Sequence, residues 1–373
     1  MEVYVHIPFC VKKCLYCDFL SFPCAEEEKT AYIQALCQEI LCCGRGRKDG
    51  LVTSVFVGGG TPSLLTGDEI DRLFGTLRQQ FVFSEDAEIT LEANPGTLTE
   101  KKLEEYKRAG INRLSIGCQS VHDDELKKLG RIHRFADFQE SFWLARAAGF
   151  ANINVDLMSA IPGQEISSWE DCLYRIMELS PEHISAYSLI VEEGTPFYEQ
   201  RDTLELPDED TERRMYERTR RILGAGGYEQ YEISNYARPG FACRHNTGYW
   251  DQTPYLGFGL GASSYMDEIR YKNTSDMKEY LCQAGTGIFS REEEEVLTRE
   301  NRMEECMFLG LRMTQGVSLA EFQDKFGVSM ASVYGETIEH FVREKLLTIR
   351  ENRVCLTEKG MDLANTVMAA FLF

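Results

Sequence analysis

Short apolar runs alternate with amphipathic stretches through roughly the first 260 residues. Val3–Ile7 predicts a strand, and a cysteine-rich loop follows it. Residues 28–43 have helical spacing, with Tyr32, Leu36, Ile40 and Leu41 on one side. Thr53–Val57 reads as a second strand running into Gly58-Gly59-Gly60, and 67–80 as a helix that buries Ile70, Leu73, Phe74 and Leu77. Further strands are predicted at Ala87–Ala93, Arg113–Gly117, Asn152–Met158 and His183–Leu189, with helices over 99–109, 134–148, 167–179 and 210–223. Gly110 and Gly149 suit helix C-termini. Tyr228–Ile233 reads as one more strand.

Strand and helix alternating about every 30 residues predicts an α/β fold, a parallel sheet covered by helices. Six such units fit an incomplete barrel or a doubly wound sheet, and spacing does not separate the two. In either, ligands belong at the C-terminal ends of the strands. From about residue 290 the pattern changes. A helix over 293–313 is predicted from four glutamates at its start. Helices over 318–326 and 330–345, a hairpin Leu347–Leu356 turning at Glu351-Asn352 and a last helix after Thr357 follow. The expected division is 1–260 as the core, 261–290 as a connecting segment and 291–373 as a small α+β, winged-helix-like domain.

Composition narrows the function. The 373 residues include 40 basic and 60 acidic side chains, a net charge of −20. That disfavours nonspecific binding to a polyphosphate backbone or an anionic membrane. The winged-helix-like segment holds ten Lys/Arg against fifteen Asp/Glu, so it lacks the basic footprint that nucleic acid needs. No apolar run approaches the ~18 residues of a membrane span. The opening MEVYVHIPF reads as a strand, with no secretory leader pattern, and the expectation is a cytoplasmic protein. Thirteen cysteines in such a chain are reduced core residues, metal ligands or reactive thiols rather than a disulfide framework.

Cys10, Cys14 and Cys17 stand in a Cys-x3-Cys-x2-Cys order directly after the first strand. Three readings compete. Offsets of four and seven would align three buried thiols on a helix face. A structural zinc site needs a fourth ligand, for which Cys24 or His6 are the candidates. An iron–sulfur cluster normally takes four thiolates, and three would leave one iron open. Pro8 and the tight Cys-Leu-Tyr-Cys favour a loop and the cluster.

The run Tyr4-Val-His6-Ile-Pro8-Phe-Cys10-x3-Cys14-Leu-Tyr16-Cys17 resembles radical S-adenosylmethionine (SAM) enzymes, and within them the coproporphyrinogen dehydrogenase branch. The likeness continues through Gly-Gly-Gly-Thr-Pro, Leu-Glu-Ala-Asn-Pro, Ser-Ile-Gly-Cys-Gln-Ser and Asp-Leu-Met. It implies a partial (β/α)6 barrel with a [4Fe-4S] cluster on Cys10, Cys14 and Cys17, and SAM on the open iron. It implies that Gly59, Gly60, Thr61 and Glu92 touch SAM, with Tyr4 a contact or a cover for the cluster. Gln119, Arg131, Asp156 and Tyr16 match a second SAM site in the related dehydrogenases. An electron donor for the cluster is implied as a partner.

Two features select within the branch. Phe19 stands where the dehydrogenases carry a fourth cysteine, and the chain has almost no extension before the first strand. His245-Asn-Thr-Gly-Tyr249-Trp250 resembles the heme-binding motif of HemW-type heme chaperones. Physically, an imidazole can ligate iron, aromatic rings can stack and Arg244 can meet a propionate, whereas a buried, hydrogen-bonded core histidine is the plainer account. The resemblance implies a heme chaperone with His245 as the heme residue, Cys243 as a candidate second ligand, and heme-accepting proteins as partners. The competing expectation is oxygen-independent oxidative decarboxylation of coproporphyrinogen III or another radical reaction.

Overall fold

The computed structural model describes residues 1–44 and 50–372. Six parallel strands lie side by side in chain order: β1 (Glu2–Ile7), β2 (Leu51–Gly59), β3 (Val82–Ala93), β4 (Arg113–Gln119), β5 (Ile153–Ser159) and β6 (His183–Ser188). Covering helices follow them at Glu26–Cys43, Gly67–Gln80, Glu100–Ala109, Phe135–Ala147, Ile166–Glu178 and Glu209–Ala225. The sheet curls without closing, so the fold is the partial (β/α)6 barrel. The strand predicted over Tyr228–Ile233 is reduced to β7 (Glu229–Gln230), and β8 (Asn235–Ala237) pairs antiparallel with β6.

Alternation along each strand decides which side chain faces which way. Val3, Val5 and Ile7 are buried in the layer between sheet and helices, as are Ile89 and Leu91, Leu114 and Ile116, and Val155 and Leu157. The intervening residues share the concave face, and they are mostly polar. Parallel register lines up Glu92, Ser115, Asn154 and His183 across four strands. The barrel thus has an apolar shell and a polar interior.

Three stretches differ from the sequence reading. Residues 261–290 are more than a connection. β9 (Tyr255–Phe258) pairs parallel with β1, and β10 (Ser263–Met266) and β11 (Ile269–Lys272) extend the sheet. The four glutamates do not open a helix. They form β12 (Glu292–Val296), where Arg270 faces Glu295 and Lys272 faces Glu292 across the ladder. Cross-strand pairs of opposite charge stabilise that arrangement. The helix starts only at Arg299, because Thr298 caps it through the Asn301 amide. A short helix, Asp123–Lys128, precedes Phe135–Ala147 and carries too few residues for a periodic signal.

The C-terminal residues build a second core around Met307, Phe322, Phe341 and Val354. Helices Leu319–Phe326 and Met330–Arg343 pack on the sheet of β13 (Val317–Ser318), β14 (Leu347–Arg350) and β15 (Arg353–Leu356). Glu351 and Asn352 both take positive φ at the hairpin, as a two-residue turn demands.

Glu39 fastens the sheet extension to the barrel. Its fully buried carboxylate accepts hydrogen bonds from the Gly259 amide at 2.8 Å, the Tyr280 hydroxyl at 2.5 Å and the Asn273 amide at 2.7 Å. Burial raises its pKa from 4.5 to about 7 against these donors. The folded chain therefore binds a proton there that the unfolded chain releases between those values. The contribution to stability is greatest below pH 4.5 and declines as the pH rises to 7. We expect Glu39→Gln to flatten that slope by roughly 2 kcal/mol in denaturant titrations at about pH 5 and about pH 7.5.

Candidate active site at the C-terminal ends of the strands

A cavity of about 500 Å³ opens at the C-terminal rim of β1–β6. Cys10, Cys14, Cys17, Tyr16, Gly59, Gly60, Thr61, Glu92, Gln119, Arg131 and Asp156 all line it, although they come from six stretches of chain. Tyr4 does not. It lines a smaller adjoining cavity of about 310 Å³, with its hydroxyl 3.0 Å from His6 Nδ1.

The cysteine segment is a loop, not a helix. Its two ends are pinned by the Cys10 amide on the Phe22 carbonyl and the Phe22 amide on the Pro8 carbonyl. His6 Nε2 bonds the Leu20 carbonyl at 2.8 Å, so that ring is occupied in holding the loop. Cys10 Sγ lies 3.4 Å from Thr61 Oγ1, and Arg131 donates to Cys14 Sγ at 3.6 Å. The Arg131 guanidinium also donates to Asn94 Oδ1 and the Gly117 carbonyl, and Asn94 donates to Thr61 Oγ1 at 2.7 Å. A closed chain of contacts thus runs Cys14–Arg131–Asn94–Thr61–Cys10. Sequence reasoning carried Asn94 only within the Leu-Glu-Ala-Asn-Pro motif and gave it no role. Its position between two site residues was the signal for more.

The acids are held differently. Glu92 accepts from the Gly59 amide at 3.0 Å, and burial together with nearby Asp156 raises its pKa to about 8. Asp156 accepts from Ser115 at 3.0 Å and Asn154 at 2.8 Å, and burial raises its pKa too. Two buried polar atoms on the cavity's lining residues, Gln119 Oε1 and Arg131 Nε, have no hydrogen-bond partner among the described residues. Gln119 also sits at φ 62°, an unusual conformation for a residue ending a strand. Uncompensated polar atoms, a glycine-lined wall and three thiols in one cavity fit a polar ligand held beside a cluster.

His245 sits at the other end of the barrel, on the short helix Arg244–Trp250. It is 2 % exposed and belongs to neither cavity. Its Nδ1 lies 2.9 Å from Ser54 Oγ and 3.5 Å from Glu2, and its Nε2 is 3.0 Å from the Tyr249 hydroxyl. The ring stacks on Phe56 at 5.1 Å. Burial, aided by Arg113, drives its pKa down to about 3, so the ring is neutral. Burial pushes the Cys243 thiol up to about 12, and that thiol contacts Glu88 at 3.4 Å. Arg244 is spent on Asp86. Trp250 packs under Arg312 of the C-terminal domain at 4.3 Å.

This fold and site define a class: residues 4–174 match the radical SAM superfamily, and residues 297–363 match the HemN C-terminal domain. The structure is similar to that of coproporphyrinogen III oxidase (HemN) from Escherichia coli, a radical SAM enzyme, with a TM-score of 0.86 at 25 % identity over 99 % of this chain and 89 % of that one. In sequence it is similar to the heme chaperone HemW of Lactococcus lactis, 38 % identical over 100 % of this chain and 97 % of that one. The HemW of Bacillus subtilis is 39 % identical over 100 % and 99 %. The chain belongs to the HemW family.

Gly60 tests the packing of the site. A Cβ there would meet the Phe9 carbonyl oxygen at 2.6 Å, at the very start of the cysteine loop. We expect Gly60→Ala to cost about 1–3 kcal/mol and to lower the iron and sulfide retained per chain after anaerobic reconstitution. Gly75, with nothing within 4 Å in the middle of a helix, is the control. Gly75→Ala should leave retention unchanged and raise stability by roughly 0.5–1 kcal/mol.

Proposed function

We propose that this protein is a heme chaperone that binds heme and transfers it to acceptor proteins, on a radical SAM scaffold carrying a [4Fe-4S] cluster. The carrying observation is similarity to HemW heme chaperones along the whole chain. Cys10, Cys14 and Cys17 would hold the cluster. Gly59, Gly60, Thr61 and Glu92 would hold SAM, and Gln119 and Asp156 would line the rest of its pocket. When bound, a cluster and SAM supply one-electron chemistry, and the protein supplies position and shielding. Arg131 and Asn94 keep the loop thiols in register with Thr61. Glu92, mostly protonated at neutral pH, would ionise when a ligand's ammonium lowers its pKa. His245 would ligate the heme iron. Its neutral ring favours that role, because no proton must leave before a lone pair is free. Cys243 would have to shed its proton first, which argues against it as a second ligand.

Acceptor proteins and a donor of electrons to the cluster are the partners this function requires. No helix among the described residues is long and apolar enough to cross a membrane.

A second reading has its own support. The likeness in structure to coproporphyrinogen III oxidase spans almost the whole chain. It favours a radical reaction on a porphyrinogen. Phe19 in place of a fourth cysteine weighs against it.

The test is an anaerobic heme titration of cluster-loaded protein, followed by absorbance. We expect one heme per chain for the parent and at least tenfold weaker binding for His245→Ala. Porphyrinogen turnover by the same sample, with no heme bound, would decide for the enzyme.

A further inference from the structure

We propose that His183 and Tyr231 are positioning residues for Asp156, the acid on the wall of the larger cavity, and that the hydrogen-bond chain they form fastens this acid to the helix Arg244–Trp250 at the barrel floor. The inference rests on the reading of that cavity as a SAM pocket, and adds what holds one of its acids in place.

The chain lies on the polar inner face of the sheet. Register sets Ser115, Asn154 and His183 side by side on β4, β5 and β6, and Asp156 stands two residues beyond Asn154 on the same face. Asn154 spends its whole hydrogen-bonding capacity there. Its amide nitrogen reaches Ser115 Oγ at 2.7 Å and Asp156 Oδ1 at 2.8 Å. Its Oδ1 faces His183 Nδ1 at 2.6 Å and Ser185 Oγ at 3.1 Å. Ser115 donates to the other carboxylate oxygen of Asp156 at 3.0 Å. On its far side, His183 Nε2 lies 2.8 Å from the Tyr231 hydroxyl, which accepts from the Cys243 amide at 3.4 Å. His183 is wholly buried and lines neither of the two cavities, so it acts through its neighbours.

The two ends set the direction of the bonds between them. A backbone amide only donates, and an ionised carboxylate only accepts. Asp156 takes a donor on each oxygen, as a carboxylate does. Burial, with Arg113 nearby, holds the His183 pKa well below 6.5, so the ring is neutral and carries one proton. With that proton on Nδ1, the series runs from Cys243 N–H to Tyr231, from Tyr231 O–H to Nε2, from Nδ1–H to Asn154 and from Asn154 N–H to Asp156. Every group in it is used, and bonds aligned in this way strengthen one another. With the proton on Nε2, the Tyr231 hydroxyl hydrogen loses its acceptor, and Asn154 must turn its oxygen toward the carboxylate. Asn154 has no proton to relay, so the chain orients Asp156 rather than conducting protons to it.

The experiment uses the full, cluster-loaded chain under anaerobic conditions. SAM binding is read by equilibrium dialysis, and the imidazole nitrogens by nitrogen NMR of protein labelled in its histidines. The His183 signals, assigned through contact with the Tyr231 ring, whose centroid is 5.5 Å away, should show Nδ1 protonated and Nε2 bare. A proton on Nε2 reverses the chain and overturns the proposal. Tyr231→Phe removes the hydroxyl, keeps the ring, and should weaken SAM binding roughly three- to tenfold. Asp156→Asn should weaken it at least as much. Adding Tyr231→Phe to Asp156→Asn should then cost nothing further, because the tyrosine acts only through the acid. A merely structural tyrosine would lower affinity by the same factor in both backgrounds, and that additive result refutes the positioning role. If Asp156→Asn weakens binding while Tyr231→Phe does not, the chain is refuted and the SAM reading stands. A parent that binds no SAM, or binds it no better than Asp156→Asn does, removes the SAM reading at this acid and this inference with it.

Discussion

One seven-residue helix closes what the sheet leaves open. Arg244–Trp250 sets its polar side against three residues that lie in register across neighbouring strands. It meets Glu2 of β1, Ser54 of β2 and Glu88 of β3. Without it, buried polar groups of three strands would face a void, and each would carry the cost of an unmade hydrogen bond. Its far end is held just as firmly. Trp250 lies beneath Arg312, which also approaches Glu232 at 3.7 Å, and Gln252 accepts from Lys325 at 2.7 Å. Barrel floor and C-terminal domain therefore share one fastening.

The upper end of the barrel follows the opposite logic. There the strands end in loops, and the loops are tied to each other rather than to a plug. Arg131 is the main tie, because one planar guanidinium can serve several acceptors in a fixed geometry. It reaches the cysteine loop, the end of β3 and the end of β4 together. A lysine could not hold three partners with the same directional precision. Between the two ends, Tyr4 stacks on Phe56 and His245 and bonds His6, which holds the loop at Leu20. Floor and rim are thus linked along β1 by consecutive inward-facing side chains.

The legible part of this architecture was the part governed by period. Six strands and six helices stand within a few residues of their apolar pattern, and Gly110 closes its helix with φ 93° as its position suggested. The rim residues were legible through their motifs, and all but Tyr4 line one cavity. What escaped was set by partners distant in sequence. Glu292–Glu295 read as a helix start because only the fold brings Arg270 and Lys272 alongside them. β9 was invisible because a four-residue strand gains its identity from pairing with β1, far back at the start of the chain. Asn94 had no assigned role because the groups it joins, Thr61 and Arg131, come from other parts of the chain. The burial of His245 was the plainer of two readings of the same motif, and the structure gives it together with its full set of hydrogen-bond partners.

Net charge misleads about such an interior. The chain carries −20 overall, yet SAM and heme, the two proposed ligands, bring carboxylates of their own. An acidic protein would repel them if its acids were ionised where they bind. The barrel avoids this by burial. Glu2 and Glu92 have pKa values of about 8, so both are mostly protonated at neutral pH, and Arg113 is buried among the remaining polar groups. Desolvation has converted formal anions into neutral hydrogen-bonding groups, while the ionised carboxylates that give the total lie mostly outside. The local field at either cavity is set by a handful of buried groups, and it is independent in sign from the charge of the whole.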